Sequence, residues 1–318
     1  MGMIDEIRAL PKAELHLHIE GTLEPSLAFD LAKRNGVELR FGSVEALARA
    51  YDFADLQSFL NLYYECMSVL RRPDDFADLA RAYLRRAARD GVRHVEMFFD
   101  PQAHTSRGVS IDDVVAGLRA AVQEAPSRYG VSVLLIACFV RDRPVAEAMD
   151  TLEELARHRD VIHGVGLDSA EAGYPPSAFR EVFAAAEQVG LRKVAHAGEE
   201  GPPSYVWEAL DVLGVERIDH GIRAVEDDVL LRRLASDQVP LTVCPLSNVR
   251  LQCVQSLEQH PLPRLLDAGV QATIHSDDPA YFGGYVADNY LAVHHALGLD
   301  LADLKALAEN SLTASFTI

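Results

Sequence analysis

Eight short runs of apolar and β-branched residues, each followed by a polar turn and an amphipathic stretch, most narrowly limit how this chain folds. The runs are 13–18, 92–100, 131–140, 161–168, 192–196, 217–220, 240–244 and 271–277. Such alternation reads as βαβ units, whose strands are parallel because each reaches the next through a crossover. No Pro/Ser-rich linker, low-complexity tract or internal repeat interrupts the 318 residues, so the prediction is an α/β fold, one (β/α)8 TIM barrel over residues 1–318. One segment breaks the pattern. Residues 41–70 carry helical periodicity without a strand candidate and are read as a helical insertion after the first strand, covering the barrel mouth. Within it Phe53, Leu56, Phe59, Leu60, Tyr63 and Met67 recur at helical spacing, a pattern that fits a plain core as well as a pocket wall. Farther along, 74–90 places Phe76, Leu79, Ala80, Tyr83, Leu84 and Ala87 on one face, with Gly91 set to end that helix in a left-handed cap; 263–267 before Gly269 repeats the arrangement.

Charge and cysteine usage exclude several classes. With 30 Lys and Arg against 48 Asp and Glu, the formal charge is -18, which repels a phosphate backbone, so no nucleic-acid partner is expected. Cys66, Cys138, Cys244 and Cys253 show no CxxC pairing and are read as free thiols in a reducing compartment, Cys138 and Cys244 as core residues. No apolar run approaches the roughly 20 residues of a membrane span, and residues 1–12 are too polar for a secretory signal. A cytoplasmic protein with no membrane partner is the expectation. Residues 312–318 stop soon after a helix-like stretch, which leaves room for a further C-terminal element.

In a barrel of this kind the C-terminal strand ends converge on one face, where active sites are built. Here those ends are rich in metal-ligand types. His16 and His18 close the first run, and i, i+2 spacing on a strand points both imidazoles to one side. Alone, an HxH pair equally describes two surface or hydrogen-bonded histidines. The fifth run ends at His196, with Glu199 three residues on, a position that also suits a solvated carboxylate in a helical first turn. The sixth ends in Asp219-His220-Gly221 and the eighth in His275-Ser276-Asp277-Asp278-Pro279, where Asp278 before proline is also a helix-capping pattern.

The joint occurrence carries the argument. Three histidines and an aspartate, His16, His18, His196 and Asp277, suit a divalent transition metal with one open position, zinc above all. Such an ion lowers the pKa of water from about 15.7 toward ~7, supplying a nucleophile without Ser or Cys. His220 is placed to take the water's proton or hold the hydroxide in line. Asp219 would face the opposite side of a regular strand, in a structural or second-layer role.

These motifs resemble the adenosine and adenine deaminase family of zinc-dependent amidohydrolases, over essentially the whole chain. The resemblance rests on PKAELHLHIEGT at 11–22, HAGE at 196–199, DHG at 219–221, CPLSN at 244–248 and SDDP at 276–279. It implies one zinc ion per subunit on His16, His18, His196 and Asp277, and a small purine base as substrate. Glu199 is then the acid that protonates the ring nitrogen beside the attacked carbon, His220 the group that orients the hydroxide, and Asp278 the carboxylate that binds the five-membered ring's nitrogen. Attack at C6 pushes electron density onto N1, so a carboxylic acid there stabilises the tetrahedral intermediate.

Two departures bring the chain nearer the adenine deaminase branch. Glu20 stands where nucleoside enzymes carry an aspartate that reaches ribose, and Glu171, in the segment that includes Ser169, stands where they carry glycine. Both carboxylates, with Ser169, are expected at the substrate site, crowding out a sugar; the alternative is that they are surface charges. Two-metal amidohydrolases usually supply a lysine at the fourth strand's end; Asp168 stands here, so a single metal is expected.

Adenine to hypoxanthine and ammonia is the leading activity. Deamination of N6-substituted adenines (such as isopentenyladenine) or of adenosine stands beside it, and a non-catalytic purine-binding barrel is the alternative from another class. A phosphoesterase is disfavoured by the acidic balance and the lack of a Gly-rich phosphate loop. Oligomeric state is not legible at this level.

Overall fold

Strands flanked by helices bury both faces and therefore read as continuous apolar runs. The computed structural model describes residues 2–53 and 56–316, the side chains of residues 56 and 57 excepted. All eight runs are strands: β1 (Lys12–His18), β2 (Val92–Phe99), β3 (Ser132–Val140), β4 (Ile162–Asp168), β5 (Arg192–Ala197), β6 (Arg217–His220), β7 (Leu241–Val243) and β8 (Ala272–Ile274). They pair in parallel in chain order. The ring joins through a parallel bridge between Leu17 and Asp277, where His18 N–H donates to the Asp277 carbonyl and Asp277 N–H to the His16 carbonyl, both at 3.1 Å. The fold is a (β/α)8 barrel.

The last two strands are shorter than the sequence runs imply, and the cause lies in the residues that follow. Cys244 leads directly into a helix at Pro245, while Asp277 adopts φ +63°, so each chain leaves the ladder early to turn into the barrel mouth. Among the helices, Pro73–Arg89 buries the expected face of Phe76, Leu79, Ala80, Tyr83, Leu84 and Ala87. It is followed by Gly91 at φ +84°, where a Cβ would sit 2.2 Å from the Arg8 carbonyl oxygen, so only glycine fits. Helix Leu262–Asp267 likewise precedes Gly269 at φ +80°.

Between β1 and β2 lie helices Pro25–Asn35, Val44–Ala50, Leu56–Met67 and Pro73–Arg89. Phe53, Phe59 and Phe282 form an aromatic cluster with ring centroids 4.9–6.0 Å apart. The Leu56 side chain lies outside the described residues. Inside the barrel Phe98, Ile136, Cys138 and Val194 pack together, and a fully buried Arg217–Glu96 ion pair at 2.7 Å lies near them. Cys138 and Cys244 are buried, as is Cys66, and Cys253 is half-buried; all four are free thiols. No described helix is long and apolar enough to cross a membrane.

Lys12, fully buried on β1, ties the barrel to its surroundings by donating to the carbonyls of Ile7 (2.8 Å), Leu10 (2.7 Å) and Asp90 (2.7 Å). Removing one partner from buried polar groups costs more than the bond contributes, because the remaining groups stay dehydrated. Lys12→Met is expected to lower the unfolding free energy by about 3 kcal/mol in a urea titration; an unchanged midpoint would show that the three carbonyls find other donors.

Candidate active site

Strand ends from opposite sides of the barrel bring His16 and His18 (β1), His196 (β5) and Asp277 (after β8) together, all buried, with one ligating atom from each within 4.8 Å of all the others. Nε2 of His18 lies 3.3 Å from Nε2 of His196, and Asp277 Oδ1 lies 3.5 Å from Nε2 of His16 and 3.6 Å from that of His18. Two donors each about 2.1 Å from one ion can be at most about 4.2 Å apart, so these separations allow all four to share a metal ion. Nε2 of His16 is buried without a hydrogen-bond partner, a condition that a metal ion relieves. Burial, then the neighbouring histidines, push the pKa of His16 and of His196 well down, keeping both rings in the neutral, ligating form. The donor set therefore fits a divalent metal.

A second layer of polar groups orients each donor. His16 Nδ1 lies 3.0 Å from the Thr242 hydroxyl, which donates to Asp219 Oδ1 at 2.8 Å, an arrangement that assigns the His16 proton to Nδ1 and leaves Nε2 free. His196 Nδ1 faces Asp219 Oδ2 at 3.6 Å. His18 Nδ1 faces Asp168 at 3.5 Å and Asp100 at 3.9 Å. Ser247 donates to Asp277 Oδ2 at 2.7 Å, leaving Oδ1 toward the histidines.

Asp219 thus differs from its expected orientation. It lies beneath the histidine cluster, fully buried, on the inward face it shares with Arg217, and the strand is not regular at its end: His220 adopts φ +62° and so turns inward beside it. Asp277 at φ +63° does the same for itself and Asp278.

On the far side of the cluster His220 Nε2 lies 3.4 Å from Glu199 Oε2 and 3.8 Å from Asp277 Oδ2. Asn248 bridges the pair, its Nδ2 donating to Glu199 Oε1 at 3.2 Å and lying 3.2 Å from His220 Nδ1. Burial, reinforced by the Asp277, Glu171 and Glu200 carboxylates, holds the Glu199 pKa well above the usual carboxylate range. The shift favours the protonated form, from which the carboxyl can donate.

These groups face a cavity of about 490 Å³, counting its open mouth. His18, His196, His220, Asp277 and Glu199 line its floor; Asp100, Asp168, Ser169 and Asp278 add polar walls; Phe59, Leu60, Tyr63, Leu251 and Phe282 form an apolar side. Of the substrate-contact residues expected from the sequence, Asp278 and Ser169 are there. Glu20 and Glu171 are not. Glu20 is fully buried against His104 Nε2 (2.7 Å) and the Asp100 N–H (3.2 Å), and Glu171 is buried against the backbone of residues 198–201, so the expected contact of either carboxylate with the cavity is corrected. Both are tied down because an unpaired buried carboxylate is costly.

Asp100 and Asp168 were given no role from the sequence, although both end predicted strands. Asn248 stood inside the CPLSN motif without an assignment, and Thr242 carries no sequence signal at all, being one buried residue of a three-residue strand.

A family model described as "Adenosine deaminase" matches residues 11–318. A protein from Streptomyces coelicolor named adenine deaminase is 63% identical over 312 residues, 98% of this chain and 92% of that one. The crystal structure of an adenine deaminase from Arthrobacter aurescens superimposes with a TM-score of 0.96 at 54% identity, covering 98% of this chain and 95% of that one. An amidohydrolase from Burkholderia ambifaria with bound Zn superimposes with a TM-score of 0.91 at 28% identity, covering 100% of this chain and 89% of that one. The chain belongs to the adenosine deaminase family of amidohydrolases, in its adenine deaminase branch, and is a deaminase.

Proposed function

We propose that this enzyme converts adenine and water to hypoxanthine and ammonia, with one zinc ion per subunit held by His16, His18, His196 and Asp277. The observation that carries the proposal is that those four donors come together at one cavity, which His18, His196 and Asp277 line with Glu199 and His220. The relatives named adenine deaminase and the Zn-bound amidohydrolase support it.

When bound, the metal supplies Lewis acidity that makes a water molecule ionise near neutral pH. His220 takes that water's proton as the oxygen adds to C6 of the purine. Glu199 gives its own proton to N1, so the density displaced from the ring is neutralised where it accumulates. Asn248 keeps the two proton-handling groups facing each other. His220 then passes the water's proton to the amino group, the C6–amino bond breaks and ammonia leaves, and the proton of the added hydroxyl is lost to restore the Glu199 carboxyl as oxygen remains on the ring. Asp278, its Oδ1 buried without a partner and its pKa pushed well up by burial and by Asp277, binds the five-membered ring's nitrogen, with Ser169 beside it. The insertion at 41–70 covers the barrel mouth, as Phe59, Leu60 and Tyr63 on the cavity's apolar side support.

Because Glu20 and Glu171 face away from the cavity, preference for the free base rests on the relatives and not on a carboxylate in the sugar's place. That same apolar side favours a second substrate, adenine bearing an alkyl group on its exocyclic nitrogen. Metal-verified protein is expected to turn over adenine, releasing ammonia, far faster than adenosine or an N6-alkyl adenine, whose leaving group would be an alkylamine, with the purine product followed by ultraviolet absorbance; faster turnover of either competitor would replace adenine as the substrate.

Two further outcomes test the roles. Glu199→Gln is expected to retain metal and lose at least about 100-fold in kcat, and full turnover in that variant would remove Glu199 as the proton donor. Asp277→Asn and His196→Ala are each expected to purify folded but with most of the metal missing by elemental analysis. Chelation of the native enzyme should abolish turnover and added zinc restore it; activity that survives complete metal removal would defeat the metal-dependent reading.

A further inference from the structure

A carboxylate has about four lone-pair sites. Glu171 accepts four hydrogen bonds from one short stretch of backbone, one on Oε1 and three on Oε2. Its Oε1 accepts from Gly198 N–H at 2.7 Å, and its Oε2 accepts from Glu199 (3.0 Å), Glu200 (2.9 Å) and Gly201 (2.7 Å). Four consecutive N–H groups converging on one anion form a backbone nest, and here the anion comes from the chain itself. The loop's carbonyls are held from the opposite side: Arg223 N–H donates to the Gly198 carbonyl at 2.8 Å, and the Arg223 guanidinium donates to the Glu200 carbonyl. Buried Arg141 ties the same region together, donating to the His196 carbonyl at 2.7 Å and to the Tyr174 carbonyl at 2.9 and 2.7 Å.

We propose that Glu171 is a positioning residue: by filling the nest at 198–201 it fixes the loop that carries Glu199, and so sets where the Glu199 carboxyl meets the substrate ring. The inference rests on the role proposed above for Glu199. Glu171 touches neither the cavity nor the candidate metal donors. What it holds is a loop whose second residue faces His220 and Asn248 across 3.4 and 3.2 Å. Glu171→Gln would remove the charge that all four N–H groups share and set an amide NH2 against at least one of them, the Gly198 N–H if the amide oxygen takes the Oε2 place.

The contact can be broken from the other side as well. A Cβ on Gly201 would lie 2.4 Å from Glu171 Oε1 and 2.7 Å from Tyr205 Cδ2, so Gly201→Ala forces the carboxylate to withdraw.

The test measures kcat, KM and metal content for native protein, Glu171→Gln, Glu171→Asp and Gly201→Ala, with amide hydrogen exchange over residues 198–201. The expected result is a fall in kcat of about 100-fold for Glu171→Gln and Gly201→Ala, since a displacement near 1 Å is enough for that. Metal content and KM stay close to native, and amide protection at 198–201 is lost. Glu171→Asp, which keeps the charge, recovers part of both kcat and protection. Native kcat in metal-loaded Glu171→Gln would overturn the proposal, as would a rise in KM at constant kcat, which would make Glu171 a substrate contact. Hydrogen exchange keeps the outcomes apart if native protein fails to deaminate adenine: that failure strikes the proposed reaction, whereas unchanged protection in Glu171→Gln strikes the anchoring itself.

Discussion

Close packing of imidazoles in a dehydrated barrel mouth is the constraint to which the rest of this structure answers. Three histidine rings lie with centroids 4.6–5.7 Å apart, and a fourth, His220, is within 5.1 Å of two of them. Protonating them together is prohibitive there, so burial keeps His16 and His196 neutral while each ring's second nitrogen requires a partner of its own. Thr242 meets it for His16 with a hydrogen bond, while Asp219 faces His196, and Asp168 and Asp100 face His18, at 3.5–3.9 Å. The lower barrel repeats the principle, with Arg217 paired to Glu96 and Glu14 accepting from both the backbone and the hydroxyl of Ser276. Burial raises the Glu14 pKa to about 8 despite those bonds. Both carboxylates are paired within the protein, whereas His16 Nε2 and Asp278 Oδ1, buried without a partner, belong to the candidate site.

Much of this was legible in the sequence because two periodicities and one accumulation coincide. Alternation of strand and helix patterns marked all eight strands, and the donors His16, His18, His196 and Asp277 stood out because each fell at the end of such a run. What stayed hidden depended on conformation finer than any pattern. Asp219 and His220 both face inward only because His220 is left-handed, and a regular-strand argument necessarily put them on opposite sides. Thr242 is one hydroxyl in an apolar strand, and its contact with His16 lies 226 positions away along the chain.

Glu20 and Glu171 show a different limit. Each was recognisable as a departure from the nucleoside enzymes at a motif position, yet the step from departure to pocket contact assumed that a side chain at such a place points into the pocket. Both point instead into protein, one to His104 and one to the loop at 198–201, where strong acceptors were needed. A motif position fixes where a backbone passes, and the partners available nearby fix where its side chain goes.

The left-handed residues that end β6 and the segment after β8 carry a wider implication. Where a strand ends in extended geometry, neighbouring side chains diverge and a barrel can spend only every other position on its mouth. A single backbone reversal removes that restriction, so that one short segment delivers Asp219 beside His220 and another delivers Asp277 beside Asp278. Eight narrow strand tips can then crowd more functional groups over a small molecule than their number alone would allow, and substituting a β-branched residue at a reversed position would cost the barrel both neighbours at once.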